Sequence, residues 1–385
     1  MTLSTTPFFP TRAERVELAR QRYFEEGLPP SGVVSDAVFQ SWARCQRLRQ
    51  QPAQRLAFQP VTASRMHQSL RKNHLLHEAW LAELPQIQAA LGTTSCAAML
   101  IDPTGVLIGT ACVGRSHESL MPVAARTGVD LSEEAVGTTA PGVVVRTRQP
   151  VTVYGAEHFF DCVGVMHCAA APIRDAAGNL AGVLDVSSES IPFNFDAASV
   201  VGLFAGAIEN RLLVAHSREH LVIRLQVLAS LLDSPVVGVV GIDGAGRLAW
   251  CNGVASRLLG LPAAEQRAAS LPAEQVLGAS VARLASLPGA GAAALRLPNG
   301  LTVWARAEMR APDGHRGLVQ AARVDAPEPA LSSGMSPTTL RESNRDLIER
   351  TLQECSGNVS KAARKLGVSR GVIYRRLRGD EESAE

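Results

Sequence analysis

The chain has 385 residues, 46% hydrophobic and 19% charged, enough to fill two or three packed domains and too apolar for a wholly disordered protein. A formal net charge of +2 excludes a uniformly basic nucleic-acid-coating protein and confines any such affinity to a local patch. Seven scattered cysteines exclude a small disulfide framework, and neither a run of about 20 apolar residues nor a basic-then-apolar leader is present, so a cytoplasmic protein without a membrane segment is expected.

In chain order, residues 12–60 are expected to be mostly helical, with a break at Pro29–Pro30. From Leu75 to Leu91 apolar residues recur at helical spacing. The period then changes. Cys96–Ile101 and Val106–Cys112 flank Asp102-Pro-Thr-Gly105, which predicts a β-hairpin. The same device returns at His167–Ile173 and Leu180–Ser187 around Asp175-Ala-Ala-Gly178, and at Val236–Ile242 and Arg247–Trp250 around Asp243-Gly-Ala-Gly246. In each turn Asp can accept from backbone amides and Gly can take a positive φ.

Between the sheets, residues 195–232 are predicted as one long helix or two in tandem. The stripe Val201, Ala205, Ile208, Leu212, Leu221, Leu225, Leu228 and Leu232 carries that expectation, either as an internal packing face or as a dimer seam. Strands are expected at Ala292–Leu297, Leu301–Met309 and Arg316–Val324, and residues 326–337 have linker composition.

The C-terminal segment carries the most specific signal. Ser336-Pro337 can start a helix whose face holds Leu340, Leu347, Ile348, Thr351 and Leu352. Asn358 can cap a second helix with Val359, Ala362, Ala363 and Leu366 inward. After Gly367-Val368, Ser369 can cap a third, which buries Ile373 and Leu377. Two short helices joined by a glycine-containing turn predict a helix-turn-helix. From Lys361 to Arg378 there are seven basic residues and no acidic one. On the helical wheel Gly371, Val372, Arg375 and Arg378 face outward from the third helix, with Tyr374 and Arg376 at the flanks. An arginine there can pair with guanine O6 and N7, and Val372 can meet a thymine methyl. Ser369, Arg370, Gly371, Val372, Tyr374, Arg375, Arg376 and Arg378 are therefore the expected DNA-contacting residues, with Lys361, Arg364 and Lys365 placed for phosphates. Double-stranded DNA is the expected partner.

Elsewhere the chemistry is sparse. His158, Cys162, His167 and Cys168 are metal-ligand types, but adjacent strand residues point to opposite faces, and packing or a ligand pocket is the simpler reading. Trp250 and Trp304 are expected in a core or pocket wall. No catalytic constellation, metal or cofactor is expected, and the chain is not expected to be an enzyme.

Two segments resemble known families. The string GNVSKAARKLGVSRGVIYRRLR is similar to the Fis-type helix-turn-helix, which implies dimeric binding to palindromic sites. Ser41-Trp42-x-Arg44, Glu134-Ala-Val-Gly-Thr-Thr139, Gly155-Ala-Glu-His-Phe159, Cys168-Ala-Ala-Ala-Pro-Ile173 and Gly182-Val-Leu-Asp-Val-Ser187 resemble the N-terminal region of acetoin and glycerol-metabolism regulators of the enhancer-binding class. That resemblance implies a GAF sensor domain, a small-molecule effector, and His158 and Cys168 as candidate effector contacts. Pro141 departs from the family's loop pattern. Residues 224–325 resemble a PAS domain. The expected fold is thus multidomain α+β: a helical region at 1–73, a GAF-like domain at 74–213, a connecting helix and PAS-like domain at 214–325, a linker at 326–337 and an all-α helix-turn-helix at 338–385.

Relatives of this class carry a AAA+ ATPase before the DNA-binding domain, yet only the linker stands there. The three lysines, Lys72, Lys361 and Lys365, follow Arg, Ser and Arg, so no Gly-Lys of a phosphate-binding loop exists. The expectation is a homodimeric regulator that acts on RNA polymerase without hydrolysing ATP. The alternative is an interaction module that heterodimerises with a full AAA+ sigma-54 activator.

Overall fold

In the computed structural model, the described residues are 11–30, 32–115, 118–217, 220–261, 271–309, 348, 350–366 and 368–378. The chain forms two compact units, residues 1–175 with 179–212, and residues 176–178 with 213–385.

The first unit opens with helices α1 (Arg12–Gln21), α2 (Asp36–Arg47), α3 (Ala63–Lys72) and α4 (His74–Leu91). Its sheet holds β1 (Cys96–Ile101), β2 (Leu107–Ala111), β3 (Val151–Tyr154), β4 (Met166–Arg174) and β5 (Leu180–Glu189) in the antiparallel order β2-β1-β5-β4-β3. Short helices α5 (Met121–Ala124), α6 (Glu133–Val136) and α7 (Ala140–Thr147) lie between β2 and β3, and α8 (Ala197–Ala215) follows β5. Both faces of the sheet are covered. Cys96, Ala98, Leu100, Leu184 and Val186 pack with Trp80 of α4 and Val201, Ala205 and Ile208 of α8. Ala97, Met99, Ile101, Cys168 and Val183 pack on the other side with Trp42 of α2 and Ala140 and Val144 of α7. That double burial explains why β1 is apolar at every position rather than alternating. Pro141 falls in the first turn of α7, where its missing N–H costs no helix bond, and Thr139 caps that helix through Gly142 N.

The predicted helix over 195–232 is corrected. α8 ends at Ala215, and Leu221–Gln226 is a strand, β6. The leucine spacing that suggested a helix also fits alternation: Leu221, Ile223 and Leu225 enter one core, while Val222 enters the opposite one. By length and composition alone α8 is apolar enough to cross a bilayer, although it holds no unbroken run of about 20 apolar residues. Half of it is buried inside the protein, through the stripe that covers the sheet.

The second unit holds β6, β7 (Gly238–Ile242), β8 (Leu248–Cys251), α9 (Gly253–Leu259), α10 (Ala273–Leu277), α11 (Val281–Ala285), β9 (Ala293–Arg296) and β10 (Thr302–Met309). Its sheet runs β8-β7-β6-β10-β9, all antiparallel. The central place that β5 takes in the first sheet belongs here to β6, which precedes the β7–β8 hairpin in sequence. Trp250 is buried against Gly241, but Trp304 is 41% exposed and is not a core residue, because it lies on the outer face of β10. The predicted strand at 316–324 and the linker at 326–337 fall outside the described residues.

Gly109 shows how tightly the first sheet meets α4. A Cβ there would lie 2.9 Å from Nε1 of Trp80, whose side chain is fully buried. Gly109→Val is expected to destabilise the protein by ~1–3 kcal/mol through overpacking, read as a lower urea midpoint.

Candidate DNA-binding surface and sensor core

At the C-terminal end, residues 350–354 are helical and Thr351, Leu352 and Cys355 are buried. Gly357 takes φ +79 and its N–H bonds Leu352 O at 2.8 Å, which ends the helix and turns the chain. Asn358 then caps α12 (Val359–Leu366), its Oδ1 accepting from Lys361 N at 2.9 Å. Val368 N closes the next turn on Ala363 O at 3.0 Å, and α13 (Arg370–Arg378) follows. Val359, Ala362, Ala363 and Ile373 are inward, as their spacing dictates. Lys361, Arg364, Lys365 and Ser369 are exposed, and Arg370, Gly371 and Val372 half-buried. Lys365 pairs with Glu354 at 2.7 Å, both side chains well exposed, so the pair is weak enough to yield to a phosphate. For Arg375, Arg376 and Arg378 only the backbone of α13 is described. The predicted helix start at Ser336-Pro337 lies outside the described residues.

Tyr374 departs from expectation. The wheel placed it beside the DNA-facing side, but it is 2% exposed. The reason is tertiary. Ile373 and Tyr374 share one apolar cluster with Leu277, Val281 and Leu284 of α10 and α11, so the second-sheet domain covers this flank of α13. The β7–β8 turn also touches the helix-turn-helix. Gly244 O accepts from Ser360 N at 2.9 Å, and a Cβ on Gly244 would collide with Ser360 Oγ and lie 3.2 Å from Cδ of Arg370.

In the first unit, three spaced motifs meet in space. Arg44 donates twice to the Glu133 carboxylate, at 2.6 Å each. The hydroxyls of Ser41 and Thr138 lie 2.7 Å apart. Trp42 Nε1 donates to Glu157 O at 2.7 Å. Arg20 of α1 adds bonds to His158 O, Phe159 O and Asp161. These contacts fasten α1 and α2 to the rest of the first unit.

The two predicted effector residues are brought together. His158 Nε2 lies 3.4 Å from Cys168 Sγ, and His158 Nδ1 lies 3.0 Å from Gly155 O. Both side chains are buried; burial lowers the His158 pKa to about 4 and raises the Cys168 thiol well above its usual value, so both are neutral at pH 7. Cys162 is exposed, and His167 instead meets Tyr154 and Phe193. Among the described residues no group of three or more His, Cys, Asp or Glu is arranged to hold a metal.

Asp185 was not singled out from sequence, although a carboxylate inside the apolar string Val183-Leu-Asp-Val186 was the available signal. It is fully buried beside Met99 and Ala170 in the strand register. Oδ2 accepts from Ser187 Oγ at 2.6 Å, while Oδ1 has no hydrogen-bond partner among the described residues. Burial raises its pKa to about 7.

Residues 339–378 match the family described as bacterial regulatory protein, Fis family, and residues 76–212 match the GAF domain. The chain therefore carries a GAF domain and a Fis-family helix-turn-helix segment. The proteins it is similar to include regulators of acetoin catabolism and of the acetoin dehydrogenase and dihydroxyacetone kinase operons. It is 29% identical over 255 residues to the acetoin catabolism regulatory protein of Cupriavidus necator, covering 64% of this chain and 37% of that protein. It is 26% identical over 199 residues to the acetoin dehydrogenase operon transcriptional activator of Bacillus subtilis, covering 52% and 33%. It is 23% identical over 239 residues to the PTS-dependent dihydroxyacetone kinase operon regulatory protein of Escherichia coli, covering 60% and 36%. The chain thus spans about a third of the length of these relatives. Among solved structures, that of the E. coli DhaR(N)–DhaL complex is similar at a TM-score of 0.44 and 15% identity, covering 71% of this chain and 99% of that one.

Because the folded-state pKa of Asp185 lies above its unfolded value, folding takes up a proton between about pH 4 and 7, and this group's contribution to stability falls as pH rises through that window. Asp185→Asn is expected to remove that dependence and to raise stability at pH 7.5 by up to ~4 kcal/mol, seen as urea midpoints that converge with wild type near pH 4.

Proposed function

We propose that the protein is a sequence-specific, homodimeric, cytoplasmic transcriptional regulator that responds to a small-molecule effector through its GAF region and acts without ATP hydrolysis. The supporting observation is the helix-turn-helix itself: Lys361, Arg364, Lys365 and Ser369 are exposed, while Val359, Ala362, Ala363 and Ile373 are buried. The exposed basic side chains suit phosphates, and Arg370, Arg375 and Arg376 are the proposed base readers. The sensor acts on the docking of the helix-turn-helix against the second-sheet domain, where the Gly244 turn holds Ser360 and abuts Arg370. His158 and Cys168 are assigned to effector contact as neutral groups. The alternative is a module that pairs with a full-length AAA+ activator and modulates it; the lack of any Gly-Lys step in the sequence fits both readings.

Selection of genomic fragments at two salt concentrations separates these readings. A palindrome retained at moderate salt supports the regulator; weak binding that vanishes with salt supports the partner-dependent module. On the selected site, Arg375→Ala is expected to cost ~1–3 kcal/mol, and Lys361→Ala is expected to weaken all sequences alike. Gly244→Val, folded by circular dichroism, is expected to loosen the docked state and raise operator affinity about fivefold or more; unchanged affinity would show that docking does not restrain DNA binding.

A further inference from the structure

A cavity of about 490 Å³ opens beside β3, the edge strand of the first sheet, and neither His158 nor Cys168 lines it. Arg12 and Glu17 of α1, Tyr154, Glu157, His167 and Phe193 are among its walls. Tyr154 and His167 are cross-strand partners on β3 and β4. With Phe193 they form a continuous aromatic wall, ring centroids 6.0–6.4 Å apart.

Glu157 supplies the charge. Its side chain is 3% exposed, and its carboxylate accepts from Tyr154 N at 2.9 Å and from Arg12 at 3.0 Å. Arg12 is a weakly held counter-ion. Its side chain is 61% exposed, and it is the first residue of α1, where the helix dipole disfavours a cation. Its guanidinium nonetheless stands 5.6 Å from the centre of the Tyr154 ring while it bonds Glu157. The arrangement displays what the cavity accepts: a planar cation, with a carboxylate at its edge and an aromatic face beneath it. The walls carry two carboxylates against that single guanidinium, so an anion gains nothing there.

We propose that this cavity binds a small organic base, an amidinium or guanidinium on a flat apolar body, which takes the place of Arg12 on Glu157 and lays its body along Tyr154, His167 and Phe193. Arg12 is then a tethered placeholder, and ligand entry frees the first turn of α1 from the sensor domain. This site is independent of the DNA-binding reading, since it is tested without DNA.

Titration calorimetry on the full-length protein tests it, with benzamidine as the probe and benzoate and benzyl alcohol as shape-matched controls. Benzamidine is expected to bind at least about tenfold more tightly than either control. Arg12→Gln removes the competitor and is expected to tighten benzamidine about two- to fivefold, the range of an exposed ion pair. Phe193→Ala is expected to weaken it about tenfold. Glu157→Gln is expected to abolish the preference over benzyl alcohol; if that variant does not fold, Arg12→Gln and Phe193→Ala carry the test. Benzoate binding as tightly as benzamidine, weaker benzamidine binding by Arg12→Gln, or benzamidine binding indifferent to both Arg12→Gln and Phe193→Ala would overturn the proposal.

Discussion

The sensor unit depends on the ion pair of Arg44 with Glu133. The carboxylate is almost fully buried, and the guanidinium offers it two parallel bonds. Such a fork tolerates little displacement, so it fixes the rotation of α2 on the domain. With α2 fixed, Trp42 reaches Glu157 O and Ser41 reaches Thr138. These bonds hold the chain on either side of α7, which packs on the β4–β5 face of the sheet. Removal of the Arg44 guanidinium would leave the Glu133 carboxylate buried without its counter-charge, which is far costlier than the pair is stabilising.

The same anchoring shapes the interior. His158 follows directly after the residue that Trp42 holds, and so is placed against Cys168. Asp185 stands two residues before Ser187, the strand partner of Cys168. A neutral imidazole, a neutral thiol and a carboxyl that titrates near pH 7 thus share one apolar interior. The edge cavity differs, with an aromatic wall, a carboxylate and the exposed Arg12.

In the second unit, one apolar cluster runs from the sheet helices into the helix-turn-helix. Burial of Tyr374 and the contact of Gly244 with Ser360 follow from it. The helix-turn-helix therefore does not present α13 on all sides.

The sequence by itself determined the elements whose signals are local. Each Asp-to-Gly turn formed its hairpin, because an Asx turn and a positive-φ glycine are settled within five residues. Asn358 capped α12, and Val359, Ala362 and Ala363 turned inward at their helical spacing. The spaced motifs named the regulator class, but not why they travel together; that is decided by contacts across 89 to 115 residues. Only the tertiary structure decided that Leu221–Gln226 is a central strand, since leucines four apart fit a helix and an alternating strand equally and hydrogen-bonded neighbours break the tie. It also decided that Tyr374 is covered while Trp304 is open, because an element's pattern says which face is apolar but not which domain arrives to cover it.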